Sequence, residues 1–265
     1  MAAANETAPP RAPFFIDTHC HLDAAEFNAD RDAEYARAVE AGVGIQVIPA
    51  VSRDNFAAVA ATCERYPGCL PAWGLHPMLI DVHQPEHLAD LRAQIDAQRP
   101  IAIGEIGLDL FSDFDYATQE FYYVEQLKIA QENDLPVLLH CRRANDQILK
   151  HLRKIRVRGG IAHAFNGSPQ QADEFIKLGF KLGFGGAFTW PRANNLRRLA
   201  ADLPLEAIVL ETDSPDIPPV WIGRGRNAPS ELPRIAQTLA ELRGISVEAV
   251  AQATTRNAQE LLGLN

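Results

Sequence analysis

Eight short apolar runs, each followed by residues with helical spacing, limit what this chain can fold into more than any other feature. The first run is Phe14-Phe15-Ile16. The others are Val43 to Val51, Cys69 to Leu75, Ile101 to Ile106, Pro136 to His140, Gly160 to Phe165, Phe180 to Phe184 and Ala207 to Thr212. Short, nearly continuous apolar runs of this kind read as strands buried on both faces of a parallel sheet. Helical patterns separate them at Asp23 to Ala41, Asp54 to Tyr66, Pro85 to Gln98, Thr118 to Asn133, Pro169 to Leu178 and Asn194 to Ala201. A basic helix follows the fifth run, and Ser230 to Arg243 and Ser246 to Leu262 form two more. Alternating strands and helices give a parallel sheet covered by helices, and eight is the number at which such a sheet closes. An open doubly wound sheet is the alternative, but no Gly-x-Gly-x-x-Gly follows the first strand. The expected fold class is α/β, a TIM (β/α)8 barrel. Residues 14–265 are read as one domain, and the Ala- and Pro-rich residues 1–13 as a disordered tail lacking the marks of a signal peptide.

In such a barrel the active site lies at the C-terminal ends of the strands. Here those ends carry His19 and His21, then His76, Glu105, His140, His163 and Asp213. Alternate residues of an extended chain share a face, so His19 and His21 can aim together while Cys20 turns away. Ionisable groups crowded at one end of an apolar barrel are costly unless something satisfies them. Four His, one Glu and one Asp (His19, His21, His140, His163, Glu105 and Asp213) suit borderline or hard ions such as Zn, Mn or Mg rather than a thiolate site.

Charge narrows the partners. A net charge of −9 argues against a generic duplex-coating protein, which is usually basic. The charge is uneven: residues 1–135 hold 8 basic and 22 acidic groups, whereas residues 136–265 hold 17 and 12. Most of the basic residues read as solvated helix faces, but Arg142 and Arg143 directly follow a candidate ligand. Four cysteines without a CxxC spacing need no disulfide framework and point to a reducing, cytoplasmic setting. No apolar run approaches the roughly 20 residues that span a bilayer, so no membrane partner is expected.

Several motifs now combine. They are Ile16-Asp17-Thr18-His19-Cys20-His21-Leu22-Asp23, Gly74-Leu75-His76-Pro77, Gly104-Glu105-Ile106-Gly107-Leu108-Asp109, Leu139-His140-Cys141-Arg142, His163-Ala164-Phe165-Asn166-Gly167, Glu211-Thr212-Asp213-Ser214-Pro215 and Arg226-Asn227-Ala228-Pro229. In this order they resemble the TatD family of metal-dependent deoxyribonucleases, amidohydrolase-like enzymes built on a TIM barrel. The resemblance implies two divalent metal ions (Zn, Mg or Mn). His19, His21 and Asp213 would bind one ion, His140 and His163 the second, and Glu105 would bridge them. It further implies exonuclease-like hydrolysis of a phosphodiester by a metal-activated water, with Asp213 orienting that water or taking its proton. Cys141 and Ala164 stand where the family usually has Ser and Cys.

Further residues are candidates for holding substrate. Arg142 can grip a phosphate through its planar fork. His76 can donate to a phosphate oxygen or support the ligands from behind. Arg226 and Asn227 lie in the loop after the last strand. Gly183, Gly185 and Gly186 can cradle phosphate or simply permit close packing. Asp17, Asp23 and Asp109 read as residues that orient ligands or make turns, and Phe111, Phe165, Trp190 and Trp221 as aromatic surfaces for bases or as packing. The expected substrate is DNA at single-stranded or frayed ends. A metal-dependent hydrolase of a small-molecule or aminoacyl ester or amide is the alternative, and a non-catalytic interaction barrel a third. Oligomeric state is not legible.

Overall fold

The computed structural model describes residues 14–264, so the tail expected over residues 1–13 lies outside the described residues. Eight strands form one sheet in chain order, each paired in parallel with the next. They are β1 (Phe15–Asp17), β2 (Val43–Pro49), β3 (Cys69–Trp73), β4 (Ala102–Asp109), β5 (Val137–Arg142), β6 (Gly160–Ala162), β7 (Phe180–Phe184) and β8 (Ile208–Leu210). The last strand meets the first through Thr18, whose backbone N–H and hydroxyl both donate to Leu210 O at 3.1 and 3.0 Å. Asp213 N–H adds a bond to His19 O at 2.8 Å, so the sheet is a nearly closed barrel.

The helices lie between the strands and cover the barrel: α1 (Arg31–Glu40), α2 (Phe56–Arg65), α3 (His87–Ala97), α4 (Tyr116–Glu132), α5 (Asn145–Leu152), α6 (Pro169–Lys177), α7 (Asn194–Asp202), α8 (Leu232–Arg243) and α9 (Val247–Leu262). The first begins eight residues later than its spacing predicts. Arg31 explains the delay: its guanidinium donates to the carbonyls of Leu22, Asp23 and Ala24 at 2.7, 2.8 and 2.9 Å. Those carbonyls are thereby tied to a side chain and not to a helix ladder. Among the described residues no helix is long and apolar enough to cross a membrane.

Inside the barrel, Ile16, Val47, Ala72, Ala102, Leu138, Ile161 and Val209 form a buried cluster with Ala258, Leu261 and Leu262 of α9. Burying each larger aliphatic side chain contributes roughly 1.5–3 kcal/mol, and the dry floor leaves the C-terminal rim as the polar end. The rim is packed backbone to backbone where β3 passes β4. A Cβ on Gly74 would stand 2.5 Å from Gly104 C and 2.7 Å from Glu105 N. Those backbone atoms cannot give way without moving Glu105. Gly74→Ala is therefore expected to cost about 1–3 kcal/mol and to lower metal content. Thermal melting together with metal analysis checks this; an alanine variant with wild-type melting and metal content would refute the tight packing.

Candidate metal centre

Glu105 is the hub of the site. It lies in β4, is buried, and its two oxygens face different partners. Oε1 stands 3.1 Å from His76 Nε2, 3.0 Å from His140 Nδ1 and 3.0 Å from His163 Nε2. Oε2 stands 3.1 Å from His19 Nε2 and 3.9 Å from His21 Nε2. Asp213 Oδ1 closes this second side at 3.6 Å from His19 and 3.8 Å from His21. The structure thus brings together all six residues whose types suggested metal binding. His19 and His21 do not sit in a strand, because β1 ends at Asp17, yet both rings face Glu105. Asp213 reaches the cluster from a left-handed backbone conformation (φ 55°) just past β8.

The donor atoms fit a cation. Neither ring nitrogen of His19 has a hydrogen-bond partner although the residue is fully buried, and His163 Nδ1 is also unpartnered. Buried polar atoms are rarely left so. Ligand atoms at about 2.0–2.2 Å from one ion necessarily crowd together. Three groups in the cluster offer atoms that lie within 4.8 Å of one another: His19, His163 and Asp213; His19, His21 and Glu105; His76, Glu105 and His140. Nitrogen and carboxylate donors without a thiolate suit Zn, Mn or Mg.

Electrostatics agrees with this use. Burial opposes a charge on Glu105, but the imidazoles around it, His76 and His163 foremost, hold it well below the usual carboxylate range. Burial pushes His19 down to about 3, which leaves its ring neutral, with one nitrogen lone pair free. Burial raises Asp213 to about 7, against the pull of His163 and His21.

Behind the cluster stand further carboxylates. His140 Nε2–H donates to Asp109 Oδ2 at 2.9 Å, which fixes the tautomer and turns Nδ1 inward. Asp109 is itself held by the backbone N–H groups of Phe111 and Ser112, both at 2.9 Å. Glu211 stands behind His163 without bonding its ring: its Oε1 accepts from Ala164 N at 2.5 Å and lies 3.5 Å from His163 Nδ1. Sequence reasoning quoted Glu211 within a motif but gave it no role. The signal was in Gly183, where a Cβ would come 2.2 Å from Glu211 Oε2. Gly183, within β7, therefore makes room for a carboxylate, and Gly186 permits close packing against Ile217 and Pro219. Asp17 works similarly across the barrel seam, accepting from Thr212 N at 3.0 Å and Thr212 Oγ1 at 2.6 Å.

The substrate-binding expectations fare unevenly. His76 accepts from Met78 N–H through Nδ1 at 3.1 Å, so its ring proton sits on Nε2 and is spent on Glu105 and on His140 at 3.2 Å. Of the two roles expected for it, this geometry matches support of the cluster. Arg226 is turned away to a bidentate pair with Asp30 at 2.7 Å and to Glu26 O. Asn227 is fully buried and donates to Thr212 O at 2.7 Å and Asp216 O at 2.9 Å, anchoring the loop. Phe165 is buried, and Trp190 and Trp221 are committed to Pro218 O and Glu231. Arg142 does border the site. So does Cys141, although its thiol adds nothing to the donor cluster.

The cluster opens into a cleft of about 1060 Å³, lined by His21, Glu105, His140, His163 and Asp213 on its floor and by Phe111, Arg142 and Arg143 at its rim. That volume is at the top of the range for sites that take a single small molecule, roughly 300–1,000 Å³.

Comparisons with known proteins agree with this architecture. A family model described as TatD related DNase matches residues 16–263. The metal-dependent hydrolase YjjV of Escherichia coli K12 is 42% identical over 255 residues, covering 94% of this chain and 98% of that protein. The protein named 3'-5' ssDNA/RNA exonuclease TatD of Cronobacter sakazakii is 35% identical over 255 residues, covering 93% and 97%. The crystal structure of the E. coli YjjV TatD homologue superposes with a TM-score of 0.92 at 40% identity, covering 96% of this chain and all of that one.

Proposed function

Because this chain belongs to the TatD-related family of metal-dependent hydrolases, enzymes acting on ester bonds, we propose that it is a deoxyribonuclease that cuts a phosphodiester at a single-stranded or frayed end of DNA. What supports this reading is the meeting, in one open cleft, of a buried nitrogen–carboxylate donor cluster with two guanidinium groups at its rim. His19, His21 and Asp213 would hold one divalent ion and His140 and His163 a second, with Glu105 offering one oxygen to each side. Such ions supply positive charge to the phosphate and an activated water at neutral pH.

The chain's own residues do the rest. Asp109 fixes the ring orientation of His140, Glu211 stands behind His163, and His76 donates to Glu105. Asp213 is the floor carboxylate most open to the cleft, with a side chain 15% exposed against 3% for Glu105. It is placed to orient the attacking water and to take its proton. Arg142, half-exposed at the rim, is placed to hold a phosphate oxygen. Four unpaired cysteines support a cytoplasmic location. A cationic substrate, such as an aminoacyl ester, is the second reading, favoured by the carboxylates Asp23, Glu26 and Asp216 on the other side of the cleft.

The test is an end-labelled single-stranded oligonucleotide incubated with the metal-loaded protein, before and after chelation. Progressive shortening from one end, abolished by chelator and restored by Zn, Mn or Mg, is expected. Loaded protein that leaves all DNA intact would sink the nuclease reading and favour the ester.

A further inference from the structure

The cleft has two unlike walls. On the side of β4 and β5 stand Phe111, Arg142 and Arg143; on the side of β1 and β8 stand Asp23, Glu26 and Asp216. In an eight-stranded barrel numbered in chain order these pairs of strands lie opposite each other. The basic wall is built rather than accidental. Phe111 is 51% exposed, unusual for so large an aromatic, and its backbone is pinned by Asp109. Both guanidinium groups pack on its ring, Arg142 at 4.0 Å and Arg143 at 4.6 Å from the centroid. Consecutive strand residues should point to opposite faces. Arg143 escapes that rule because its backbone is left-handed (φ 55°), a conformation unfavourable to any residue with a Cβ. Packing on the ring positions the two cations without neutralising them. Among the described residues Arg143 has no carboxylate within 4 Å, and Arg142 has only Asp109, at 3.9 Å. The facing carboxylates of Asp23, Glu26 and Asp216 likewise form no ion pair.

We infer that Phe111, Arg142 and Arg143 form the subsite for the phosphate next to the one being cut, and that the acidic wall opposite refuses a second flanking phosphate. This rests on the phosphodiester reading above. The body of a strand would leave over the guanidinium wall, its phosphate held by the two cations that Phe111 positions. The carboxylate wall repels a polyanion but accepts a terminal nucleoside, which brings no further phosphate. One basic and one acidic wall therefore make the cleft a reader of strand ends. A channel that threads a strand would be basic on both sides.

The decisive experiment uses linear single-stranded oligonucleotides in which one internucleotide link is replaced by an uncharged methylphosphonate. In the metal-loaded wild type, neutralising the link adjacent to the terminal one is expected to lower kcat/KM about tenfold or more, and neutralising the next link inward less than about twofold. In Arg143→Ala and in Phe111→Ala, whose exposed side chain makes misfolding an unsuitable explanation, kcat/KM on unmodified DNA falls toward the methylphosphonate value and the penalty for neutralising the adjacent link shrinks. A covalently closed single-stranded circle remains uncut by the wild type and is nicked by the Glu26→Lys, Asp216→Lys double variant. The same penalty in wild type and variants, or circle cleavage by the wild type, overturns the subsite. Absence of cleavage on every DNA by loaded wild type overturns the phosphodiester reading instead.

Discussion

Replacing Glu105 with glutamine is expected to lower turnover of single-stranded DNA by roughly 10³-fold or more while the barrel persists. Five imidazoles converge on this carboxylate: three ring nitrogens stand 3.0–3.1 Å from Oε1, and two more face Oε2. Glutamine keeps the volume and removes the one anion that both halves of the ligand set share. Its amide nitrogen would also turn a donor toward rings that need an acceptor. Groups that act as one unit lose most of their joint effect when any member goes, and 10³-fold corresponds to about 4 kcal/mol of transition-state stabilisation. The fold should survive because the surrounding imidazoles can shed protons, so no buried charge is stranded. Metal analysis and an oligonucleotide assay check this together. A glutamine variant that keeps both its metal content and a tenth of its activity would refute the central role of Glu105.

Asp213→Asn is expected to act on chemistry more than on assembly. The asparagine keeps an oxygen for His19 and His21 but cannot take a proton. A positioned general base is worth about 10²–10⁴-fold, so kcat should fall by that factor with KM within about threefold of wild type. Steady-state kinetics on a short oligonucleotide, paired with thermal melting, separates this from misfolding. A loss of less than about tenfold would remove Asp213 from the proton-transfer role and leave it a ligand only.

The sequence was most legible where one residue type repeats at one kind of place. A run of apolar residues ending in His or Glu needs no long-range information, and reading strand ends alone collected His19, His21, Glu105, His140, His163 and Asp213. Legibility stopped where a side chain's partner lies far away in the chain. Arg226 reads as a loop residue for holding substrate until Asp30, 196 positions earlier, is found to pair with it. Asn227 reads as a rim residue until its amide is found among the carbonyls of Thr212 and Asp216. Glu211 was hidden for the opposite reason: its neighbours in the motif drew attention, whereas the space it occupies is declared by a glycine on another strand. The late start of α1 is of the same kind, since Arg31 captures three carbonyls that spacing alone assigns to a helix.

The seam between β1 and β8 ties residues 192 positions apart, and the same seam sets Asp213 beside His19. A ribosome therefore delivers the first two histidines long before the carboxylate that completes their half of the site. A nascent or truncated polypeptide ending before β8 has Glu105 to set beside them but not Asp213. The donor set of that half of the site is therefore completed only once the segment carrying β8 and Asp213 has been made.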